Sequence, residues 1–321
     1  MISVAMASYN GENYIWEQLE SIYCQTMNVD EIIIVDDCSK DRTVLIVNDF
    51  IKKYPDCNIQ LVENKENLGY KKNFQKAISM CKGEVVFLCD QDDRWLKNKV
   101  EIMKNILDEH EEIALLSSSF FYMDGNGEKS EKNRNVYKKK MPKEELVSVK
   151  MEELLFHNIS QGCSMAIRRE VIDSYLKYVT EELPHDWILN VIATMKKKCY
   201  YLNRALFYYR IHDNNTIGLN EGLTLKKKNT FSVRAHDAKQ AIHVIELIRN
   251  VDGAYYSEDA FLEKATRFAS AHVKNLKEKK CLKLLFQNFN PYYWKVKTIR
   301  GRMLDIIYCF HNEDSLEKEE K

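Results

Sequence analysis

The sequence predicts an α/β protein in which a mostly parallel sheet is flanked by helices and followed by a helical C-terminal region. Two observations predict this fold class. Through the first hundred residues, short apolar runs alternate with segments whose apolar residues recur every three or four positions. That alternation is typical of a parallel sheet with helices on its faces. Beyond residue 220, the chain is strongly charged and mostly helical in its pattern.

Four strand-and-helix pairs are expected at the start of the chain. Strands are predicted at residues 2–8, 31–35, 58–63 and 84–89, and helices at 13–25, 41–54, 70–82 and 96–110. Ser39 or Asp41 is the expected N-cap of the second helix, because short polar side chains can bond the open backbone N–H groups there.

The pattern becomes mixed between residues 113 and 218. Strands are predicted at 113–123, 163–167 and 199–209, helices at 151–157 and 186–197, and a turn at 124–127. The charged stretch 128–143 is expected to be an exposed loop. The sequence therefore predicts two parts, residues 1–219 and residues 220–321.

Composition excludes several classes of protein. Lys+Arg and Asp+Glu both number 48, which argues against a nucleic-acid binder held by phosphate contacts. No apolar run reaches the ~18 residues of a membrane-spanning helix, and the first residues lack the features of a signal peptide. The nine cysteines are scattered without a Cys-x-x-Cys pair, as expected in a reducing compartment. We therefore expect a cytoplasmic protein.

Polar side chains follow three of the predicted strands at the point where each ends. The segments are Ser8-Tyr9-Asn10, Asp36-Asp37 and Asp90-Gln91-Asp92-Asp93. Because ligands bind beyond the carboxyl ends of parallel strands, we expect these segments to share one crevice. Carboxylates on a short turn can hold Mg²⁺ or Mn²⁺. A polar loop with a helix cap is the alternative interpretation.

Two later segments add candidate groups. Asp186 opens a predicted helix after Pro184, where a carboxylate either caps the helix or serves as a general base facing a sugar hydroxyl. Arg210 and His212 follow the last predicted strand. They can meet a diphosphate and complete a metal site, respectively, although a loop histidine is also explained by solvation.

Taken in order, these motifs resemble family 2 glycosyltransferases of the GT-A fold, and within them the bacterial rhamnosyltransferase-type enzymes. The resemblance covers about residues 1–218. The matching segments are SVAMASYNG (3–11), IVDD (34–37), NLGYKKN (67–73), FLCDQDD (87–93) with Trp95, GCSMA (162–166), HDW (185–187), YRIH (209–212) and NNTIG (214–218).

The resemblance implies a role for each matching position. Residues along the nucleotide would be Ala7, Ser8, Tyr9, Asp37, Gly69, Lys72, Asp90 and Arg210. Asp37 would reach the pyrimidine base, and Arg210 the diphosphate. Many relatives carry arginine in place of Lys72. Asp92 and His212 would bind a divalent cation, Mn²⁺ or Mg²⁺, and Asp186 would be the catalytic base. The acceptor and sugar pocket would comprise Trp95, Gln161, Gly162, His185 and Trp187.

The implied reaction is inverting, metal-dependent transfer of a sugar from a dTDP- or UDP-linked donor to a glycan acceptor. Rhamnose is the sugar that the resemblance suggests. A lipid-linked acceptor would place the enzyme at the inner face of the cell membrane, in the synthesis of a capsule or O-antigen. Residues 1–219 would be the catalytic domain, divided into a nucleotide-binding half (1–100) and an acceptor-binding half (101–219).

Other functions remain open at this stage. A phosphotransferase or nucleotidyltransferase would use the same acidic edge, but the first strand lacks the Asp-x-Asp-Gly-Thr of an aspartyl-phosphate enzyme and no Gly-rich loop follows it. A sugar-nucleotide-binding subunit without catalysis is the non-enzyme alternative. The basic, aromatic-rich segment 274–303 is either a membrane-binding surface or a helical lid. The oligomeric state is open.

Overall fold

The computed structural model describes residues 1–134, 145–212, 231–252 and 260–309. The strands are β1 (Ile2–Ser8), β2 (Glu31–Asp36), β3 (Ile59–Glu63), β4 (Val85–Asp90), β5 (Arg94–Trp95), β6 (Leu115–Asp124), β7 (Lys129–Arg134), β8 (Leu146–Ser148), β9 (Met165–Arg168) and β10 (Cys199–Ile211). The helices are α1 (Ile15–Tyr23), α2 (Thr43–Lys53), α3 (Tyr70–Met80), α4 (Lys99–Glu109), α5 (Met151–Leu154), α6 (Arg169–Tyr178), α7 (His185–Met195), α8 (Phe231–Asn250), α9 (Ala260–Lys277), α10 (Cys281–Phe286), α11 (Pro291–Val296) and α12 (Ile299–Tyr308).

One sheet contains all of these strands, and it confirms the predicted fold class. Its order is β3-β2-β1-β4-β9-β6-β10-β5, with β7 paired to β6 and β8 paired to β10. The first four strands are parallel. The second half is mixed, because β9 runs antiparallel to both β4 and β6. The strand-and-helix pairs of the first hundred residues lie within a few residues of their predicted bounds.

The two central parallel strands are buried along almost their whole length. In β1, Val4, Ala5 and Met6 are fully inaccessible, and β2 is buried from Glu31 to Asp36. Helices therefore cover both faces of this half of the sheet, which explains its unbroken apolar runs. The parallel register sets Ser8 beside Asp36 and Ala7 beside Asp90. All three strands consequently end at the same edge.

Several local predictions are wrong. The charged stretch expected to be a loop contains β7, which pairs with β6; residues 135–144 lie outside the described part. Helix α2 begins after Arg42 without a side-chain cap. Asp41, one residue before the N-cap position, instead accepts a bond from the Thr43 backbone N–H. Helix α6 was not predicted, and it buries Tyr175 and Ile172.

The chain divides into two compact units. The first comprises Met1–Lys150 and Ile159–Gly218, and the second comprises Met151–Asn158 and Leu219–Lys321. Composition did not indicate that residues 151–158 belong with the C-terminal helices. The second unit has its own apolar core, in which Leu276 and Leu284 are fully buried. Among the described helices, none combines the length and apolar character that crossing a membrane requires.

Candidate active site

Hydrogen bonds tie together the loops that follow β1, β2 and β4. Ser8 Oγ donates to Asp36 Oδ2 over 2.8 Å. The Tyr9 backbone N–H donates to Gln91 Oε1, and Gln91 Nε2 donates to the Tyr9 carbonyl, each over 2.9 Å. Asn10, in the left-handed region at φ 48°, donates its N–H to Ser39 Oγ. The three strand ends therefore lie together at one edge of the sheet, where Tyr9 is 47% exposed. A crevice that holds a ligand there stays a prediction.

Asp37 lies at this edge, but its carboxylate anchors a loop. Its Oδ1 accepts from the Leu68 N–H (2.7 Å) and from Asn64 Nδ2 (2.9 Å), and its Oδ2 accepts from the Gly69 N–H (2.9 Å). Gly69 has φ 80°, a conformation that favours glycine, and it precedes α3. Asp37 is 2% exposed. Its expected contact with a base stays a prediction.

The acidic turn after β4 brings the predicted metal ligands together. His212 Nε2 lies 2.8 Å from Asp92 Oδ2, although 120 residues separate them in sequence. The Tyr14 ring packs against the His212 ring, with centroids 4.7 Å apart. Burial and the charge of Asp92 raise the pKa of Asp90 to about 7. The turn thus concentrates more negative charge than its surroundings stabilise.

Asp93 and Cys163 also lie in this cluster, although the sequence alone assigned neither of them a role of its own. Ligand atoms of Asp90, Asp93 and Cys163 lie within 4.8 Å of one another. Asp93 is fully buried, and its Oδ2 has no hydrogen-bond partner among the described residues. Burial raises the pKa of Asp93 well above its usual range. Asp93 is the last residue of FLCDQDD (87–93) and Cys163 lies in GCSMA (162–166), so both stand within segments that carry the resemblance.

The residues fit a divalent cation that prefers oxygen. Mg²⁺ and Mn²⁺ take carboxylate and water oxygens, and Mn²⁺ also accepts imidazole. Asp90, Asp92 and His212 supply those groups. The Cys163 thiol fits less well, because burial raises its pKa well above the usual range and keeps it protonated. Burial and the charge of Asp92 raise the pKa of Asp90, so a bound cation would stabilise its ionised form.

Arg210 is a buried cation beneath the acidic turn. It is 2% exposed, and its Nη2 lies 2.5 Å from Glu17 Oε2. Its Nε donates to the Asp92 carbonyl over 2.8 Å, and its backbone N–H donates to Asp93 Oδ1 over 3.2 Å. Arg210 therefore shapes the turn from below. A contact with a diphosphate stays a prediction.

Two aromatic residues predicted to line the pocket lie in the interior. Trp95 is 3% exposed, and the Lys99 ammonium lies 4.1 Å from its ring centroid. Lys99 Nζ also donates to the Cys163 carbonyl over 2.6 Å, and burial lowers its pKa to about 8. Trp187 is 4% exposed. Their direct contact with a ligand stays a prediction.

Asp186 sits at the start of α7, as the sequence predicts. Its Oδ1 accepts from the Trp187 N–H over 2.8 Å. Burial, followed by the charge of Asp186, raises the pKa of Tyr70 to about 12. The same charge contributes to the raised pKa of Asp90. The charge of Asp186 therefore acts on the acidic turn, and their membership of one site stays a prediction.

His185 and Gly162 pack tightly beside Asp186. The His185 ring stacks on Phe74 with centroids 4.2 Å apart, and the residue is 6% exposed. A Cβ added to Gly162 would lie 2.7 Å from His185 Nε2 and 3.6 Å from a Leu88 methyl carbon. Only glycine fits this close approach. Gln161 precedes Gly162 and is half-buried.

A cavity of about 230 Å³ adjoins this helix start. It is lined by Lys71, Lys72, Gln75, Tyr175, Val179, Thr180, Glu181, Leu183 and His185. Lys72 Nζ lies 2.8 Å from Glu181 Oε1, and Lys71 Nζ donates to the Glu181 carbonyl. Lys72 and His185, which the sequence assigned to different subsites, therefore face a common space.

Comparison with known proteins identifies the family. The model of glycosyl transferase family 2 matches residues 3–176. The dTDP-rhamnosyl transferase RfbG of Shigella flexneri is 30% identical over 243 residues, covering 71% of this chain and 79% of that protein. The minor teichoic acid biosynthesis protein GgaB of Bacillus subtilis is 28% identical over 218 residues, covering 67% of this chain but 23% of that protein.

Solved structures agree on the fold. S. aureus TarS 1–349 in complex with UDP has a TM-score of 0.57 at 20% identity, with 99% of this chain and 82% of that chain covered. Mannosyltransferase PcManGT from Pyrobaculum calidifontis, in complex with GDP-Man and Mn²⁺, has a TM-score of 0.53 at 16% identity, covering 97% and 87%. The family model matches more than half of this chain. The chain therefore belongs to glycosyl transferase family 2 and is a glycosyltransferase.

Proposed function

We propose that this enzyme transfers rhamnose, with inversion and with the help of a divalent cation, from dTDP-rhamnose to a hydroxyl group of a glycan acceptor. The similarity to the Shigella dTDP-rhamnosyl transferase supports that donor. A UDP-sugar is the second donor class, because TarS carries UDP or UDP-GlcNAc in similar structures. GDP-Man in PcManGT extends the comparison to nucleotide sugars as a class.

The approach of His212 to Asp92 at the acidic turn, 2.8 Å between ring nitrogen and carboxylate oxygen, carries this proposal. It brings together groups that we assign to the cation, and Asp186, at the start of α7, is the candidate base. Asp186 takes the proton of the acceptor hydroxyl while that oxygen attacks the anomeric carbon. The bond between the anomeric carbon and the diphosphate oxygen breaks as the new bond forms. One displacement inverts the anomeric centre, so no second carboxylate is needed as a nucleophile.

Asp90, Asp92 and His212 are the residues that we assign to Mn²⁺ or Mg²⁺. When bound, the cation offsets the negative charge that develops on the leaving diphosphate. Arg210 keeps the turn in shape through its bonds to Asp92 and Asp93. Ala7, Ser8, Tyr9, Asp37, Gly69 and Lys72 are assigned to the nucleotide, and Trp95, Gln161, Gly162, His185 and Trp187 to the sugar and acceptor pocket.

The acceptor that we propose is a lipid-linked glycan of a cell-surface polysaccharide, a capsule or an O-antigen. The similarity to a teichoic acid biosynthesis protein supports a cell-surface polymer. The enzyme would work in the cytoplasm at the inner face of the cell membrane. Residues 1–219 would form the catalytic domain, with the nucleotide in residues 1–100 and the acceptor in residues 101–219.

A sugar-nucleotide-binding subunit without catalysis is the second candidate. This candidate is favoured because Asp37 and Arg210, two of the predicted ligand-binding residues, already bond other residues of the protein. Such a subunit would bind a nucleotide sugar tightly and turn none of it over with any acceptor.

Thermal unfolding with dTDP, UDP, GDP and their sugar conjugates, each with and without Mn²⁺ or Mg²⁺, tests the proposal. A ligand at 100 times its Kd adds about 2.7 kcal/mol to the free energy of unfolding. We expect that gain with a dTDP- or UDP-sugar, dependent on the cation and lost in Asp92→Asn. Asp49→Asn, in an exposed pair with Lys52, is the control. Absence of any gain in folded protein would contradict a nucleotide-sugar donor.

A further inference from the structure

The exposed apolar surface of the protein is concentrated in one short stretch of the second unit. Across the described residues, eleven large apolar side chains are exposed, and eight of them lie between residues 282 and 307. Phe289 is 85% exposed, Leu282 71%, Phe286 67% and Trp294 66%. We call these eight residues the exposed apolar face. A patch of this kind marks an interaction site more often than a chance feature of a surface.

Helix α12 shows that this exposure follows helix geometry. Ile299, Met303 and Ile307 recur every fourth residue, so they share one stripe of the helix, and all three are exposed. Asp305 lies on the other side and is fully buried, while Ile306 packs against the core of the unit. The helix therefore turns a charged residue inward and an apolar stripe outward, the reverse of an ordinary surface helix.

A polar network holds the inner side of this region. Asp305 accepts from Arg234 Nε (2.6 Å), from Lys297 Nζ (2.8 Å) and from the Tyr293 hydroxyl (2.7 Å). These bonds join α8, α11 and α12 without using the exposed apolar side chains. The fold of the unit thus leaves those side chains available to a partner.

The charge around the exposed apolar face is strongly positive. Residues 274–303 contain nine Lys or Arg and one acidic residue, Glu278, although the whole chain has net charge 0. Lys277, Lys283 and Arg300 are exposed in this segment. Trp294 adds an amphipathic ring: its Nε1 donates to the Asn288 carbonyl over 2.6 Å, and the Arg302 guanidinium lies 5.3 Å from the ring centroid.

We propose that the exposed apolar face docks the protein on an anionic lipid bilayer. Phe286 and Phe289 would enter the boundary between headgroups and acyl chains, and the surrounding cations would meet the anionic headgroups. A second copy of this chain would also cover apolar side chains, but it would bring the same positive charge to the contact. The charge pattern therefore favours anionic lipid over self-association.

The docking surface rests on the proposed function in one respect, because that function places the enzyme at a membrane. Its test is sedimentation of the full chain with vesicles, which needs neither donor nor turnover. Vesicles of phosphatidylcholine alone are compared with vesicles that contain about 30% phosphatidylglycerol. We expect binding to the anionic vesicles and at least about tenfold weaker binding to the neutral ones.

The double variant Phe286→Glu/Phe289→Glu should lower the partition onto anionic vesicles by at least about tenfold. Leu45→Glu is the matched control, since Leu45 is also exposed, at 49%, but lies on α2. Unfolding temperatures of both variants are compared with that of the parent, and Leu282→Glu/Phe289→Glu replaces any double variant that fails to fold.

Three results would overturn the proposal: no binding by the parent chain, equal binding by the double variant, or a dimer in light scattering that the double variant dissociates while vesicles remain unbound. The nucleotide-dependent gain in stability is measured on the same samples. A chain that gains stability from nucleotide sugar but ignores vesicles would refute the docking surface and leave the glycosyltransferase proposal standing.

Discussion

Glu17 and Arg210 form an ion pair across 193 residues of sequence, with 2.5 Å between carboxylate oxygen and guanidinium nitrogen. The pair connects the first helix of the fold to the end of its last described strand. Because Arg210 also bonds Asp92 and Asp93, we expect Glu17 to help position the acidic turn, although it belongs to no motif that the sequence offers.

Replacing Glu17 by Gln should therefore disturb both stability and the site. A buried guanidinium that loses its charged partner is costly, and because Glu17 is 39% exposed we expect a loss of about 1–3 kcal/mol in the free energy of unfolding. Cation-dependent stabilisation by nucleotide should weaken as well. Chemical denaturation of Glu17→Gln and of Glu20→Gln, an exposed neighbour on the same helix, measures the difference. Equal midpoints would contradict the role assigned to this pair.

Asp186→Asn should separate catalysis from binding. The amide keeps the size of the side chain and can still accept from the Trp187 N–H, but it cannot take a proton. We expect transfer to fall by about 10²–10⁴-fold, the usual contribution of a general base, with the Kd for donor nucleotide changed less than about threefold. Radiolabelled transfer and calorimetry report the two quantities. Normal transfer by the variant would rule out this base.

Gly162→Ala should strain the contact with His185. The new methyl group would lie 2.7 Å from Nε2 of a ring that is already stacked on Phe74. Overpacking of this kind costs about 1–3 kcal/mol. His185→Ala in the same chain should recover part of that loss, because it removes the clashing atom. Gly125→Ala, whose Cβ would meet its neighbours at 3.5 Å or more, is the control. If the effects of Gly162→Ala and His185→Ala on the free energy of unfolding simply add, the clash is absent and the His185 ring moves aside.

Much of the first unit could be predicted from sequence because its signals are local. The buried runs of β1, β2 and β4 fix the parallel half of the sheet, and topology alone then places Ser8, Asp36 and Asp90 at one edge. Strand β7 pairs with its sequence neighbour β6 across the 124–127 turn. Its residues, KSEKNR, are polar or charged, so apolar periodicity could not reveal the strand.

The parts of the site that were missed depend on burial. Asp93 and Cys163 lie within segments that carry the resemblance, but nothing in those segments gives them a role, and Lys99 lies outside every motif. Their chemistry arises only when the fold removes water from all three. Asp37 illustrates the reverse: a carboxylate that sequence pattern assigns to a ligand also satisfies the backbone N–H groups of Leu68 and Gly69. Sequence pattern cannot show which bonds a carboxylate already makes.

Asp305→Asn should destabilise the second unit. The carboxylate is fully buried and balances the charges of Arg234 and Lys297, and these cations hold its pKa below the usual range against the effect of burial. Removing one partner of a buried ion pair costs about 3–5 kcal/mol. Asp49→Asn should cost less than about 0.5 kcal/mol, since its pair with Lys52 is exposed. Calorimetric unfolding distinguishes the two, and equal effects would mean that the network contributes nothing.

Two buried histidines should make stability depend on pH. Burial lowers the pKa of His185 to about 3 and that of His272 to about 4. Both stay neutral in the folded chain at pH values where the unfolded chain, with a histidine pKa of about 6.5, already binds a proton. Their contribution is therefore complete above about pH 6.5 and is lost as pH falls toward the folded pKa of each.

The change in the free energy of unfolding per pH unit measures the contribution of the buried histidines. Each neutral histidine adds about 1.4 kcal/mol per pH unit to the rise of stability with pH between about pH 4 and 6.5. Asp90 acts in the opposite direction, because its raised pKa of about 7 means that the folded chain binds the extra proton there. Asp90 is present in both the parent and the His272→Gln variant, so its contribution cancels when the two slopes are subtracted. We expect the slope for His272→Gln to fall by about 1 kcal/mol per pH unit relative to the parent. An unaltered slope in His272→Gln would mean that the ring takes up its proton in the folded chain as readily as in the unfolded one.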